Sequence, residues 1–135
     1  DSGLCVEALD GAPGIYSARF GDFEGKRLND RERYELLLDK LKGEKQREAA
    51  FVCSLVLMIE PRRFFIFQEN CPGIIARTPS GGGGFGYDPV FYLPDFGKTM
   101  AQLDPAEKDR ISHRGRAGRR LKAFLEDQGA EIGVV

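Results

Sequence analysis

A loop of glycines, aromatics and one carboxylate occupies residues 81–89 and offers the chemistry best suited to a bound ligand. Its sequence is GGGGFGYDP, so Phe85 and Tyr87 present aromatic faces beside backbone that carries no side chains, and Asp88 adds a negative charge. Consecutive glycines lose much conformational entropy on ordering, and a fold keeps them where the backbone must approach another group or adopt positive φ. This glycine–aromatic loop predicts a nucleotide site; a glycine-rich turn between two strands is the alternative.

A second distinctive segment, residues 108–122, concentrates positive charge. It reads KDRISHRGRAGRRLK, with two lysines, five arginines and the single histidine of the chain against one acid. The net charge of the whole chain is only -1, so no global positive field attracts DNA or a membrane. A local basic segment beside the glycine–aromatic loop fits a small polyanion such as a nucleotide. For Arg116, Arg119, Arg120 and Lys122 the alternative is the solvated face of an amphipathic helix.

The composition is that of one globular domain spanning residues 1–135. The chain is 41% hydrophobic, which is enough to form a core. No run approaches the ~20 apolar residues of a membrane span, and no basic-then-apolar leader opens the chain, so we expect a soluble, cytoplasmic protein. Three scattered cysteines and one histidine predict neither a disulfide framework, nor a zinc site, nor a Ser-His-Asp triad. Cys53 should be buried in a strand.

Three helices must help to position these two segments. The clearest spans residues 31–42, with apolar positions at i, i+3, i+4 and i+7, a capping box from Asn29 and Glu32, and Gly43 at its end. A short helix begins in residues 104–107, where DPAE combines an N-cap, a proline at the first helical position and a box-closing acid. The last helix carries an apolar stripe formed by Ala117, Leu121, Phe124 and Leu125.

Four strands are predicted from short apolar runs. Residues 51–59 are nearly continuous apolar sequence, which indicates a strand covered on both faces. Three further strands are predicted at residues 63–69, 73–77 and 87–93. Residues 1–20 are predicted to be a loop in which Pro13 opens a short helical turn through Tyr16 and Ala18.

Three ordered segments together resemble one known family. They are DSGLCVEALDGAPGIYSARF at residues 1–20, GGGGFGYDPVF at residues 81–91 and EKDRISHRG at residues 107–115. They resemble the inosine triphosphate pyrophosphatase family, and the likeness runs over nearly the whole chain. The resemblance implies an α/β fold with a mixed central sheet flanked by helices, two lobes with a cleft between them, Mg²⁺ as cofactor and a homodimer.

The resemblance also implies a reaction. Members of this family hydrolyse non-standard purine nucleoside triphosphates such as ITP, dITP and XTP to the monophosphate and pyrophosphate, by attack of water on the α-phosphorus. On the family pattern, Asp1 is the second of two adjacent acids and serves as metal ligand and general base. Ser2 matches a position that contacts the substrate.

Recognition of the purine base is assigned by the resemblance to the glycine–aromatic loop and the basic segment. Phe85 would stack on the purine, and Gly86 would let the ring approach the backbone. A donor such as Arg114 suits the 6-oxo group of hypoxanthine or xanthine, whereas the 6-amino group of adenine would leave donors facing donors. The other expected substrate contacts are Tyr87, Asp88, Lys108 and His113.

The sequence departs from the family pattern at its start. Family members begin with a strand and a glycine-containing turn that cradles the triphosphate, followed by a helix with a metal-binding acid, and none of these precedes Asp1. We therefore expect the chain to be the C-terminal two-thirds of the family fold. The alternatives are a catalytically incomplete purine-nucleotide-binding fragment or regulatory module, and an RNA-binding protein that uses the arginine-rich last helix. The near-neutral net charge argues against nucleic acid as a partner.

Overall fold

A computed structural model of the chain describes residues 1–134 and contains one six-stranded sheet and three α-helices. The sheet has the order β2-β1-β3-β4-β5-β6, and each neighbouring pair is antiparallel. The α/β class is thereby confirmed. The elements in chain order are β1 (Ser2–Val6), β2 (Pro13–Gly14), α1 (Asp30–Lys40), β3 (Glu48–Glu60), β4 (Arg63–Ile75), β5 (Phe91–Leu93), β6 (Lys98–Thr99), α2 (Pro105–Ile111) and α3 (His113–Gln128).

Strand β1 replaces part of the loop predicted for residues 1–20, so that prediction was wrong there. The strand lies between β2 and β3, and Leu4 and Val6 are fully buried. Pro13 belongs to β2, opposite Cys5, and its carbonyl oxygen also accepts from the Tyr16 N–H group at 3.0 Å, so a turn does begin there. A 3₁₀ turn follows at Ser17–Arg19. The strand escaped detection because its pairing with β3 is made across more than forty residues of sequence.

The long hairpin of β3 and β4 dominates the sheet. The separate strands predicted at residues 63–69 and 73–77 are one strand, β4, which pairs with β3 from Glu48↔Ile74 to Glu60↔Arg63. Pro72 interrupts the sequence pattern without interrupting the strand. Because β4 pairs with β5 only at Ile74 and Ile75, one edge of β4 is open at Pro72, where a residue without an N–H group is tolerated.

Only one face of this hairpin is covered by the described residues. Phe65 and Phe67 pack against Phe124 of α3, with ring centroids 4.7 and 5.3 Å apart. The opposite face exposes two apolar cross-strand pairs, Val56↔Ile66 and Met58↔Phe64. The prediction of a strand covered on both faces was therefore wrong at this end of β3, because α3 packs on one side only. Cys53, as predicted, is buried.

The helix boundaries follow the caps read from the sequence. Asn29 and Glu32 form the capping box of α1, which ends at Lys40, two residues earlier than predicted. Asp104 and Glu107 form the capping box of α2, which begins at Pro105 as predicted. The predicted strand at residues 87–93 is instead a 3₁₀ turn at Asp88–Val90 followed by the short strand β5. No helix in residues 1–134 is long and apolar enough to cross a membrane.

A buried arginine joins α1 to the end of β4. The Nε group of Arg47 donates to the carbonyl oxygen of Ile75 at 2.7 Å, and its Nη1 group donates to that of Leu41 at 2.9 Å. Its Nη2 group donates to the carbonyl oxygen of Ala76 at 3.0 Å. Burial lowers the pKa of this guanidinium, which nevertheless stays charged at any physiological pH. These bonds hold the C-terminal end of α1 against the sheet, at the opposite end of the helix from the residues that line the site described next.

Candidate functional site

A cavity of about 360 Å³ lies where β1, the start of α1, the glycine–aromatic loop and the junction of α2 and α3 meet. Its volume is in the range of small-ligand sites. Every residue predicted to contact substrate lines this cavity. The predicted lining residues are Ser2, Phe85, Gly86, Tyr87, Asp88, Lys108, His113 and Arg114.

The remaining predicted residue, Asp1, is exposed and lies beside the cavity rather than in its lining. Its backbone continues the pairing of β1 with β3, because the Ser54 N–H group donates to the Asp1 carbonyl oxygen at 2.8 Å. Its carboxylate accepts from the Ser2 N–H group at 2.9 Å. The carboxylate is therefore accessible to solvent next to Ser2, which does line the cavity.

The glycine–aromatic loop is held by its own carboxylate. Asp88 is buried, and its Oδ2 atom accepts from the Phe85 N–H group at 3.1 Å and from Lys108 Nζ at 2.6 Å. Gly84 has φ of +69°, and a Cβ atom there would overlap the Asp88 carboxylate. The loop therefore needs glycine at this position both for its backbone conformation and for the space that Asp88 occupies.

Phe85 is the most accessible aromatic side chain of this loop. Its side chain is 57% exposed and lines the cavity. Lys108 Nζ lies 4.4 Å from the ring centroid, and Arg114 Cζ lies 5.0 Å from it. Cations at these distances interact favourably with an aromatic face. The ring is thus an open stacking surface bordered by two positive charges.

Tyr87 lines the same cavity but uses its hydroxyl group for the fold. The hydroxyl donates to the Ser17 carbonyl oxygen at 2.6 Å, and burial raises the pKa of the phenol. The Ser17 hydroxyl in turn accepts from the Leu4 N–H group at 2.8 Å and donates to the Gly14 carbonyl oxygen at 2.6 Å. Tyr87 therefore ties the glycine–aromatic loop to β1 and β2.

His113, the first residue of α3, is buried against the cavity. Its ring stacks on Phe51 with centroids 5.0 Å apart and an interplanar angle of 13°. Burial, together with the positive charges of Arg114 and Lys108, lowers the pKa of His113 to about 4. The imidazole is therefore neutral at pH 7. Among the buried side-chain polar atoms of residues 1–134, His113 Nδ1 is the one without a hydrogen-bond partner.

The arginines of the basic segment divide between the cavity and the exposed surface of α3. Arg114 Nε donates to the Ser2 hydroxyl at 3.1 Å, which joins α3 to β1 at the cavity. In contrast, Arg116 donates to the Asn70 carbonyl oxygen, and Arg120 pairs with Glu69 at 3.1 Å. These side chains are exposed along α3, which agrees with the solvated-face alternative. Lys108 and Arg114 are therefore the cations of the segment that face the cavity.

The start of α1 forms a wall of the cavity that the sequence did not predict. Arg27, Asp30 and Arg33 line it. Arg33 is buried, and its Nη2 group donates to Asp22 at 2.8 Å and to the Leu28 carbonyl oxygen at 2.9 Å. The sequence does mark this helix start through its capping box, but no local pattern links it to a loop more than fifty residues away.

The side chains present fit Mg²⁺ only in part. No group of three or more His, Cys, Asp or Glu side chains within residues 1–134 is arranged to hold a metal ion. Mg²⁺ is often bound through one or two carboxylates, with water and substrate phosphates supplying the other oxygens. The accessible carboxylate of Asp1 suits such a site as a single protein ligand, whereas Asp88 is already paired with Lys108.

Comparisons with known proteins show which family and which solved structures the chain resembles. The sequence profile of the Ham1 family matches residues 1–124. The chain is 48% identical over 126 residues to a dITP/XTP pyrophosphatase of Treponema denticola, and 50% identical over 129 residues to one of Geobacillus kaustophilus. A solved structure of a HAM1 protein from Coxiella burnetii superimposes with a TM-score of 0.88 at 42% identity, over 94% of this chain and 65% of that one.

The chain matches these relatives over part of their length. The two alignments cover 93% and 94% of this chain, but 65% of the Treponema protein and 62% of the Geobacillus protein. It therefore spans somewhat less than two thirds of the length of these two relatives.

Proposed function

The chain belongs to the Ham1 family, and we propose that it hydrolyses non-standard purine nucleoside triphosphates such as ITP, dITP and XTP to the monophosphate and pyrophosphate. The observation that carries this proposal is the cavity in which an exposed aromatic ring, two cations and a neutral histidine converge. The names of the Treponema and Geobacillus relatives, both dITP/XTP pyrophosphatases, support it.

The purine base would lie against Phe85 in this proposal. Base–aromatic stacking contributes about 1–3 kcal/mol per base and does not depend on which base is present. Selectivity must therefore come from hydrogen bonds, and Arg114 can donate to a 6-oxo group. Adenine would place its 6-amino donor against this donor, and each buried unpaired polar group costs about 1–3 kcal/mol. Two such mismatches would give discrimination of the order of a hundredfold.

The neutral state of His113 supports the same assignment. A neutral imidazole has one nitrogen that donates and one that accepts. Because Nδ1 is buried and has no protein partner in the described residues, a bound base or ribose is a suitable partner for it. The ammonium group of Lys108, held in place by Asp88, would offer a fixed hydrogen-bond donor at this part of the cavity.

The hydrolytic step needs a group that takes a proton from the attacking water, and we assign this role to Asp1. Its carboxylate is exposed and next to Ser2, whose hydroxyl would contact the substrate. Mg²⁺, when bound with Asp1 as a ligand, would offset the charge that develops on the phosphates. The Asp1 carboxylate, as acceptor of a proton, and a bound Mg²⁺ would suit attack of water on the α-phosphorus, with pyrophosphate as the leaving group.

Pyrophosphate release from ITP and ATP tests the proposal. We expect the protein to release pyrophosphate from ITP in the presence of Mg²⁺ and to act on ATP at least a hundredfold more slowly. Asp1→Asn should abolish turnover and leave ITP binding in place. Arg114→Ala should reduce the preference for ITP over ATP; an equal loss on both substrates would contradict the assignment of Arg114 to the 6-oxo group.

A binding function without turnover is the second candidate. It is favoured by the lack of a cluster of metal-binding side chains in the described part of the chain. A catalytically incomplete nucleotide-binding fragment or regulatory module would bind ITP and release no pyrophosphate. Calorimetric titration with ITP beside the release assay separates the two candidates.

The remaining parts of the proposal concern partners and location. A homodimer is supported by the exposed apolar pairs of β3 and β4, since contiguous exposed apolar patches mark association surfaces. Light scattering of the protein and of a Met58→Asp variant tests this.

A cytoplasmic location is supported by Cys5, Cys53 and Cys71, which are all free. RNA binding is disfavoured because Arg116 and Arg120 are bonded to the protein surface.

A further inference from the structure

Asp30, the first residue of α1, makes a hydrogen bond that connects this helix to the glycine–aromatic loop. Its Oδ2 atom accepts from the Gly86 N–H group at 2.9 Å, across 56 residues of sequence. Asp30 also lines the cavity. The helix start that carries Asp30 is itself fixed, because Asn29 and Glu32 cap it and the buried Arg33 anchors the preceding loop.

Two carboxylates therefore hold two consecutive peptide groups. Asp88 accepts from the N–H group of Phe85, and Asp30 accepts from the N–H group of Gly86. The two acids come from different elements, one from the 3₁₀ turn that begins at the end of the loop and one from α1. The backbone on both sides of the Phe85 Cα atom is thus fixed by hydrogen bonds.

Phe85 depends on such bonds because its ring contacts the side chains of Lys108 and Arg114 but is not packed in the core. The ring is 57% exposed, so packing does not lock its orientation. Glycines precede and follow it, and both Gly84 and Gly86 have positive φ, a region that glycine enters and leaves easily. Ordering a residue costs backbone conformational entropy. A ligand that stacks on a mobile ring would have to supply that free energy.

We propose that Asp30 is a positioning residue, which fixes the Gly86 peptide and through it presents the Phe85 ring to the purine base. This inference rests on the proposed function, because it concerns the same cavity. Asp30 does not act on the reacting phosphate and is not a catalytic residue. Its loss raises the dissociation constant for the nucleotide by freeing the loop, while the cations and the histidine of the cavity remain in place.

A purely structural role for Asp30 makes different predictions. An acid in the first turn of a helix stabilises it through the helix dipole. In that case Asp30→Ala would lower the melting temperature slightly without changing the loop or nucleotide binding. Asp30→Asn separates charge from hydrogen bonding, since its side-chain oxygen can still accept from Gly86. The matched control is Asp39→Ala, at an exposed acid on the same helix that does not line the cavity.

The experiment measures amide hydrogen exchange at Gly86 by NMR and the affinity for inosine monophosphate by calorimetry. For Asp30→Ala we expect the Gly86 amide to exchange faster and the affinity to fall about tenfold, the scale of one lost hydrogen bond to a charged group. Asp30→Asn should stay within about threefold of the unsubstituted protein, because it keeps the acceptor. Asp39→Ala should match the unsubstituted protein.

Two outcomes overturn the inference, and they are distinguishable. If the unsubstituted protein neither releases pyrophosphate from inosine triphosphate nor binds inosine monophosphate, both the proposed function and this inference fail. If it binds and Asp30→Ala binds equally well, the inference fails alone. Asp30→Ser, which favours a helix start but is too short to reach Gly86, provides a second variant. Thermal denaturation verifies that each variant is folded.

Discussion

The single histidine provides a quantitative test of the cavity. His113 is buried between Phe51 and the cavity, and burial lowers its pKa to about 4 from the ordinary value of 6.5. The unfolded chain therefore binds a proton at a pH where the folded protein does not. Each pKa unit is worth about 1.4 kcal/mol, so the neutral histidine contributes about 3 kcal/mol at most.

The sign of the effect follows from the direction of the pKa change. Because the folded pKa of His113 lies below the unfolded pKa, this contribution is fully present above about pH 6.5 and is lost as the pH falls through about 4. Between pH 7 and pH 5 the loss should be about 2 kcal/mol. The variant His113→Asn keeps a polar side chain that does not titrate, so it removes this component of the pH dependence and leaves that of the carboxylates.

The assay is urea denaturation of both proteins at pH 7 and pH 5, together with an NMR titration of the imidazole. We expect the free energy of unfolding to fall about 2 kcal/mol more for the unsubstituted protein than for His113→Asn. The NMR titration needs no variant and should give a pKa well below 6. A pKa near 6.5, or an equal loss in the free energy of unfolding of the two proteins, would show that the imidazole is hydrated and not buried.

Three further predictions concern the parts that support the cavity. Arg47→Met should lower the free energy of unfolding by about 3 kcal/mol in urea denaturation, because buried carbonyl oxygens lose their donor; a change below 1 kcal/mol would contradict this. Gly84→Ala should weaken inosine monophosphate binding at least tenfold in calorimetry, since its Cβ atom would displace Asp88, whereas Gly82→Ala, with open space at the Cβ position, should not. Phe85→Ala should leave the melting temperature nearly unchanged and weaken the same binding about tenfold or more; unchanged affinity would refute stacking.

Local chemistry explains which parts of the fold were predictable. The capping boxes at Asn29 and Asp104 need only residues within one turn, and both helices begin where these residues indicate. Strand β1 depends on a partner far along the chain, and the continuity of β4 depends on its pairing with the whole length of β3. Residues 63–69 and 73–77 were predicted as separate strands, whereas the open edge of β4 at Pro72 lets one strand run through both.

The candidate site was likewise predictable where a sequence motif marks it and unpredictable where it depends on distant parts of the chain. The resemblance to inosine triphosphate pyrophosphatases, confirmed at the level of the family by the Ham1 match, indicated residues that do line one cavity. Asp30 and Arg33 were missed, because their contribution arises from a helix start that meets the glycine–aromatic loop only in three dimensions. The unpaired Nδ1 atom of His113 was equally invisible, since hydrogen-bond satisfaction is a property of the packed structure.

The pairing of β3 with β4 has a consequence for the order of folding. These two strands are consecutive in the sequence and pair along their whole length, so closing their connection costs little chain entropy. Strand β1 must instead find β3 across the intervening residues that include α1. Nucleation in the hairpin, with β1 joining after the rate-limiting barrier, is therefore the expected route. The cavity, which needs β1, would be among the last features to form.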